Sequence, residues 1–198
     1  MNKNLPAIVS GLLLTASFPP LNTDWLIWIA LIPLLISIND ETPKRAFRLG
    51  LITGLTHYVT LLYWIINVLA TYGGLDIYTS IVVLLLLALY LSLYTASFSA
   101  LITIKDHCRL RIFLFAAIWV SLEYVRTFFL TGFPWGLLGH SLYSRLSLVQ
   151  IVDITGVYGP SFIIAAVNLS IFEIINARSH LFKNRYLITE TILLLVVI

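Results

Sequence analysis

Residues 119–159 read WVSLEYVRTFFLTGFPWGLLGHSLYSRLSLVQIVDITGVYG. An apolar, helix-like run in this stretch contains one acidic and one basic residue, Glu123 and Arg126, three positions apart. A Gly-Phe-Pro-Trp sequence at 132–135 follows, and its glycine and proline predict that the helix ends there. Charged groups are costly near a lipid bilayer, so their placement indicates a function or a device that holds helices together.

The composition of the 198 residues predicts an integral membrane protein. Apolar residues make up 60% of the chain, charged residues 11%, and the mean hydropathy is +0.97. Soluble domains carry roughly 25% charged residues, so a water-soluble fold could not bury this much apolar surface. The formal net charge of +3 therefore does not indicate a nucleic-acid partner. The single cysteine, Cys108, excludes a disulfide within the chain.

The apolar runs predict an all-α fold, a polytopic transmembrane helix bundle with six complete or short segments plus a truncated seventh. The segments cover about 5–18, 25–38, 46–70, 77–104, 112–130, 158–176 and 186–198. The first two are shorter than the roughly 20 residues that a spanning helix needs. They are separated by Pro19-Pro20 and fit either short embedded helices or a re-entrant hairpin.

The basic residues predict the topology. Ten of the twelve lie in alternate loops, namely Lys3, Lys44, Arg45, Arg48, Lys105, Arg109, Arg111, Arg178, Lys183 and Arg185, and only Arg126 and Arg145 do not. Because basic loops stay in the cytoplasm, the N-terminus is predicted to be cytoplasmic, and 18–24, 71–77 and 130–157 are predicted to face outward.

The seventh apolar run, Tyr186–Ile198, ends in LLLVVI without a polar residue. A terminal carboxylate at that depth would be costly to desolvate, so we expect that the polypeptide continues outward. The alternative is a short tilted or interfacial tail.

Polar side chains lie on one face of several predicted helices. In the third helix Thr53, His57, Thr60, Trp64 and Asn67 follow one another at helical spacing, and Gly50 and Gly54 would let another backbone approach closely. We predict that His57, Trp64, Asn67, Gln150 and Asn168 are polar residues that hold the bundle together. Nothing pairs His57 with a second ligand at metal spacing, and the sequence indicates no cofactor.

Two hypotheses fit Glu123 and Arg126. They form an ion pair that anchors the fifth helix, or they form the charged rim of a lipid-facing cleft, with Arg126 near a phosphate or carboxylate. Trp135 is predicted to lie at the outer headgroup level beside them. The apolar positions of 137–151 predict a short amphipathic helix in the interface.

An ordered set of motifs resembles the apolipoprotein N-acyltransferases. The motifs are SGL at 10–12, SFPP at 17–20, WIALIPLL at 28–35, YWI at 63–65, YGG at 72–74, WVSLEYVR at 119–126, TGFPW at 131–135, Gln150, GVYG at 156–159 and Asn168. Each motif alone is unspecific, whereas the ordered set extends over nearly the whole chain.

The resemblance implies a multi-pass protein of the bacterial inner membrane that transfers an acyl chain from a phospholipid to the N-terminal diacylglyceryl-cysteine of lipoproteins. In that family an outward nitrilase-like domain with a Glu-Lys-Cys triad follows the seventh helix. No catalytic residue transfers to this sequence, since Cys108 falls in a predicted cytoplasmic loop. We therefore expect the membrane portion of such an enzyme, inactive without a C-terminal catalytic half, with Glu123, Arg126 and Trp135 as candidate substrate-binding residues.

Two other functions remain open from the sequence. The polar faces are compatible with a small transporter or channel subunit, although such proteins usually show internal repeats or discontinuous helices, and no repeat is visible here. A scaffold that helps to assemble another membrane protein is the third hypothesis.

Overall fold

A computed structural model describes residues 2–104 and 111–176, and this part is mostly helical and contains no β-strand. The α-helices are α1 (Asn4–Ala16), α2 (Ile32–Ile38), α3 (Pro43–Leu61), α4 (Trp64–Thr71), α5 (Ile77–Ile104), α6 (Arg111–Phe128), α7 (Leu146–Val149), α8 (Val152–Thr155) and α9 (Tyr158–Asn176). Short 3-10 helices cover Asp24–Trp28, Phe129–Thr131 and Leu138–Leu142. The all-α prediction is confirmed.

Two of the described helices, α5 and α9, are long and apolar enough to cross a membrane, and α3 with α4 forms a third candidate if the bent pair is one span. Two shorter apolar segments, Asn4–Ala16 and Asp24–Ile38, fall below that length. The described residues thus support a helical membrane protein but do not confirm six spans plus a seventh. The predicted segment 186–198 lies outside the described residues.

The predicted third segment, 46–70, is bent rather than straight. The axes of α3 and α4 differ by 52°. Just before the bend the Thr60 hydroxyl donates to the Thr56 carbonyl at 2.6 Å, and such bonds bend helices because the hydroxyl competes for the backbone acceptor. The bend takes Asn67 off the polar face and leaves its side chain exposed. Among residues 2–104 and 111–176, Asn67 therefore makes no buried contact, and its role in holding the bundle together stays a prediction.

The close approach predicted at Gly50 and Gly54 is confirmed, and the partner is α5. A Cβ atom at Gly54 would lie 2.8 Å from the Cα of Ser92, and one at Gly50 would lie 2.7 Å from the Thr95 carbonyl oxygen. Only glycine permits these distances. The two glycines therefore let α3 pack its backbone directly against α5.

Hydroxyl groups join α1 to α3. The Thr53 hydroxyl donates to the Ala7 carbonyl at 2.9 Å, and the Thr15 hydroxyl lies 3.0 Å from His57 Nδ1. The polar face of α3 thus contacts α1 through hydrogen bonds.

Asn168 joins α9 to the irregular backbone between the first 3-10 helix and α2. Its fully buried side chain donates to the Ile27 carbonyl at 2.8 Å and accepts from the Leu31 amide at 2.9 Å. Helix ends leave backbone groups without internal partners, and Asn168 satisfies two of them.

Ion pairs group the described loops at two ends of the bundle. At one end Glu41 bonds with Lys3 at 2.9 Å and with Arg45 at 3.3 Å. At the other end Arg145 bonds with Asp24 at 2.6 Å. The loops that the charge pattern placed on opposite sides are therefore held together in two separate groups.

We expect Gly54→Val to destabilise the protein by about 1–3 kcal/mol, the usual cost of forcing extra methyl groups into a packed contact. The control is Ala117→Val, at an exposed position of α6. The midpoint of thermal unfolding in detergent measures the effect. Equal midpoints for the two variants would show that α3 and α5 do not depend on this close contact.

Candidate functional site

The end of α6 directs the following loop back toward the bundle. The Arg126 carbonyl accepts from the Phe133 amide at 3.0 Å, and the Gly132 amide donates to the Phe129 carbonyl at 3.0 Å. Gly132 has φ +80°, and Leu130 has φ +49°, which is strained for a residue with a side chain. The helix therefore ends where the Gly-Phe-Pro-Trp sequence predicts, and the backbone reverses within a few residues.

The Arg126 side chain forms hydrogen bonds with the loop that follows α6. Its guanidinium is 2% exposed and donates through Nη1 to the Tyr58 hydroxyl. Nη2 lies 3.4 Å from the Trp135 carbonyl oxygen and 3.3 Å from that of Gly136. A planar guanidinium presents several N–H donors in fixed directions, so one side chain joins α3, α6 and the loop.

Glu123 holds the next part of the same loop. Its carboxylate is 5% exposed, and Oε1 accepts from Trp119 Nε1 at 3.0 Å and from the Leu138 amide at 2.8 Å. Leu138 begins a 3-10 helix, whose first amides have no partner within the helix. The following amide, that of Gly139, donates to the Ser161 hydroxyl at 2.9 Å. Glu123 and Ser161 therefore cap this 3-10 helix from α6 and α9.

These contacts favour the anchor hypothesis for Glu123 and Arg126 in a modified form. Both side chains bond to the loop and to neighbouring residues rather than to each other. We call residues 133–138 the clamped loop, because the Arg126 side chain bonds to its central carbonyls and the Glu123 side chain bonds to its last amide.

A cleft of about 700 Å³ opens on the other side of the clamped loop. Its walls come from the turn Phe18–Pro20, residues 61–64, the segment 134–137 and the aromatic rings of Tyr143 and Tyr158. The rings of Trp64 and Trp135 lie 5.3 Å apart. Trp135 is 56% exposed and lines the cleft, whereas Glu123 and Arg126 do not.

The cleft wall is apolar and lacks fixed charge. None of its described lining residues is Lys, Arg, Asp or Glu. The polar side-chain groups of the wall belong to Thr127, His140, three tyrosines and the indole N–H groups of Trp64 and Trp135. An apolar cavity with a few polar groups is the usual form of a small-molecule site.

An ion pair joins two loops next to Tyr143, which lines the cleft. Arg145 binds Asp24 through Nε at 2.6 Å and through Nη2 at 3.1 Å, and the Ser144 hydroxyl donates to the same carboxylate at 2.8 Å. The Arg145 and Ser144 hydrogen bonds lower the pKa of Asp24 to about 2. Tyr143 adds a bond to Asn22 at 2.5 Å. The segments 22–24 and 143–145 are therefore joined beside the cleft.

Some candidate residues lie elsewhere than expected. The segment 137–151 is not one amphipathic helix, because 3-10 helix Leu138–Leu142 and α7 are separated by a turn. Gln150 follows the four-residue α7, and its side chain is exposed in the described part of the chain. Trp64 lies in the cleft wall, because the bend after α3 turns it toward Trp135.

Sequence reasoning missed the Asp24–Arg145 pair and Tyr58. One signal was available for the ion pair. Arg145 is one of only two basic residues outside the basic loops, and Asp24 lies in a loop predicted on the same side. Tyr58 had no distinguishing signal, since its role depends on how the helices pack.

The fold and the site define a class, a helical membrane protein with buried charges that support an apolar cleft at one end of its bundle. Residues 10–170 match the family model described as apolipoprotein N-acyltransferase N-terminal domain, and the chain belongs to this family.

Relatives named apolipoprotein N-acyltransferase agree with this assignment. The protein of Geobacter metallireducens is 44% identical over 98% of this chain and 37% of its own length. Those of Rhodopirellula baltica and Thermotoga maritima are 33% and 30% identical, over 84% and 88% of this chain and 30% and 36% of their own lengths. The chain thus spans about a third of the length of these relatives.

We expect Glu123→Gln to be nearly as stable as the wild type, because the amide oxygen can still accept from Trp119 and Leu138. Glu123→Leu leaves both buried donors without an acceptor, at a cost of about 1–3 kcal/mol for each. Thermal unfolding of the two variants in detergent tests this difference. A Gln variant as unstable as the Leu variant would show that the charge of Glu123, and not its acceptor oxygen, is required.

Proposed function

We propose that residues 1–198 form the membrane part of an acyltransferase. This enzyme moves an acyl chain from a phospholipid to the N-terminal diacylglyceryl-cysteine of lipoproteins. The observation that carries the proposal is the apolar cleft of about 700 Å³ beside the clamped loop. Membership of the family and the names of the relatives support it.

The cleft suits the apolar part of a lipid. Burying a methylene group contributes about 0.8 kcal/mol, so an acyl chain gains affinity from an apolar wall along its whole length. A phosphate would find no cationic side chain among the described residues of that wall. We therefore infer that the cleft takes an acyl chain and that the polar headgroup stays at its entrance.

The three candidate substrate-binding residues then have different roles. Trp135 contacts the acyl chain, together with Trp64. Arg126 and Glu123 act indirectly, by positioning the clamped loop that carries Trp135. This differs from a direct contact between Arg126 and a phosphate, because two of its three described hydrogen bonds go to loop carbonyls and the third to Tyr58.

The transfer chemistry is proposed to come from a part of the protein outside these 198 residues. The relatives are about three times as long as the stretch they share with this chain, and the family resemblance implies that their remaining part carries a Glu-Lys-Cys triad. In this proposal the chain is inactive alone and needs that catalytic part as its partner.

The proposed location is the bacterial inner membrane, with a cytoplasmic N-terminus and the cleft facing outward, where the N-termini of lipoproteins emerge. The two groups of loops and the distribution of basic residues support this orientation.

Activity is tested by rescue of a strain depleted of its own N-acyltransferase, with the lipid content of lipoprotein N-termini read by mass spectrometry. We expect no rescue by this chain alone and rescue by a chimera that joins it to the remaining part of the Geobacter relative. Triacylated lipoprotein made by the chain alone would contradict the proposed division, and a well-expressed but inactive chimera would count against the assigned activity.

In that chimera Trp135→Ala should slow acyl transfer about tenfold, a loss of about 1.4 kcal/mol, because it removes an aromatic ring from the cleft wall. Trp25→Ala is the matched control, since Trp25 is similarly exposed at 60% but lies outside the cleft. Equal rates for the two variants at equal protein levels would remove Trp135 from the substrate site.

Orientation is tested by labelling intact cells with a membrane-impermeant maleimide. In a Cys108→Ser background, Tyr72→Cys should react from outside and Lys44→Cys should not, since these exposed residues lie at opposite ends of the α3–α4 pair. Labelling of Lys44→Cys alone would reverse the proposed orientation.

A further inference from the structure

A second, much smaller cavity lies behind the clamped loop, between α3, α5 and α6. Its volume is about 20 Å³. The polar residues that line it are Tyr58, Tyr94, Thr95, Trp119, Glu123 and Arg126. It is separate from the acyl cleft, whose lining shares none of these residues.

Two residues of this cavity each have one buried polar atom without a partner. Glu123 Oε2 and Arg126 Nε make no hydrogen bond with any residue in 2–104 or 111–176. About 90% or more of such buried groups in proteins are paired, and an unpaired one costs about 1–3 kcal/mol, or more when it is charged. Two charged side chains, each with one buried atom that lacks a hydrogen-bond partner, line the same cavity, and this indicates a bound occupant.

The chemistry of the two atoms identifies that occupant. A carboxylate oxygen only accepts hydrogen bonds and a guanidinium N–H only donates them, so the occupant must donate to one and accept from the other. Arg126 disfavours a cation at this position, and Glu123 disfavours an anion. One buried water needs roughly 10–15 Å³ and two to four polar partners, and this cavity meets both conditions.

We propose that a single ordered water binds in this cavity and bridges Glu123 Oε2 to Arg126 Nε. The hydroxyl groups among the lining residues offer it further partners. The water completes a continuous chain of hydrogen bonds that runs from Trp119 through Glu123 and Arg126 to the carbonyls of the clamped loop. It thereby couples the two side chains that hold the loop, whatever reaction the full protein performs.

The water is tested by X-ray radiolysis of the protein in lipid nanodiscs, which generates hydroxyl radicals from bound water and oxidises the aromatic rings beside it. Trp119 is the probe, because it lines the cavity and is otherwise buried. We expect Trp119 to be modified in the wild type. An unmodified Trp119 overturns the proposal.

Two variants of one residue provide the control. Thr95→Val keeps the size of the side chain and should preserve the modification of Trp119, whereas Thr95→Ile fills the cavity and should abolish it. Unchanged modification in Thr95→Ile overturns the proposal.

A second test uses a density map of the wild type that resolves ordered waters, and it requires no variant. A peak within hydrogen-bond distance of Glu123 Oε2 and Arg126 Nε is expected, and a direct contact between the two atoms without a peak overturns the bridge.

Discussion

The structure depends on hydrogen-bond partners for the backbone amides and carbonyls of non-helical segments next to a bilayer. Within the hydrocarbon region water is absent, so non-helical backbone is tolerated only where protein groups or a water-filled cavity pair its amides and carbonyls. The clamped loop meets this requirement through Glu123, which accepts from the Leu138 amide, and through Arg126, which donates to the carbonyls of Trp135 and Gly136. Asn168 does the same for the break before α2. Buried Glu123, Arg126 and Asn168 therefore supply hydrogen bonds to the backbone where the helices are interrupted.

This constraint explains why charged residues lie in an apolar helix without lining the cleft. A charge in the cleft wall would favour a charged ligand and penalise an apolar one. Behind the wall the same charge positions the backbone and leaves the wall apolar. The Asp24–Arg145 pair follows the same rule, because it joins two loops beside the cleft and neither residue lines the cleft.

The sequence predicted the features that depend on local pattern. Helix content, the close approach at Gly50 and Gly54 and the end of α6 all follow from side-chain volume, glycine, proline and periodicity. It did not predict that 46–70 bends, because the Thr60 hydroxyl that favours the bend is equally compatible with a straight helix. For the same reason Trp64 and Asn67 were placed on one face, although the structure puts one in the cleft wall and the other on the surface. Contacts such as that of Arg126 with Tyr58 join residues far apart in the chain and have no local signature.

The residues that line the cleft are different from the residues that position its wall. Most of the residues that face the cleft are apolar, whereas Glu123 and Arg126, which do not line it, are charged and each make several hydrogen bonds. A substitution in the wall changes the apolar area of the cleft, and a substitution behind it moves the wall itself. Arg126 combines three bonds in one guanidinium, so its loss would release α3 and the clamped loop together. Glu123 and Arg126 thus affect the cleft by positioning the backbone of the clamped loop, which includes Trp135, although neither side chain lines the cleft.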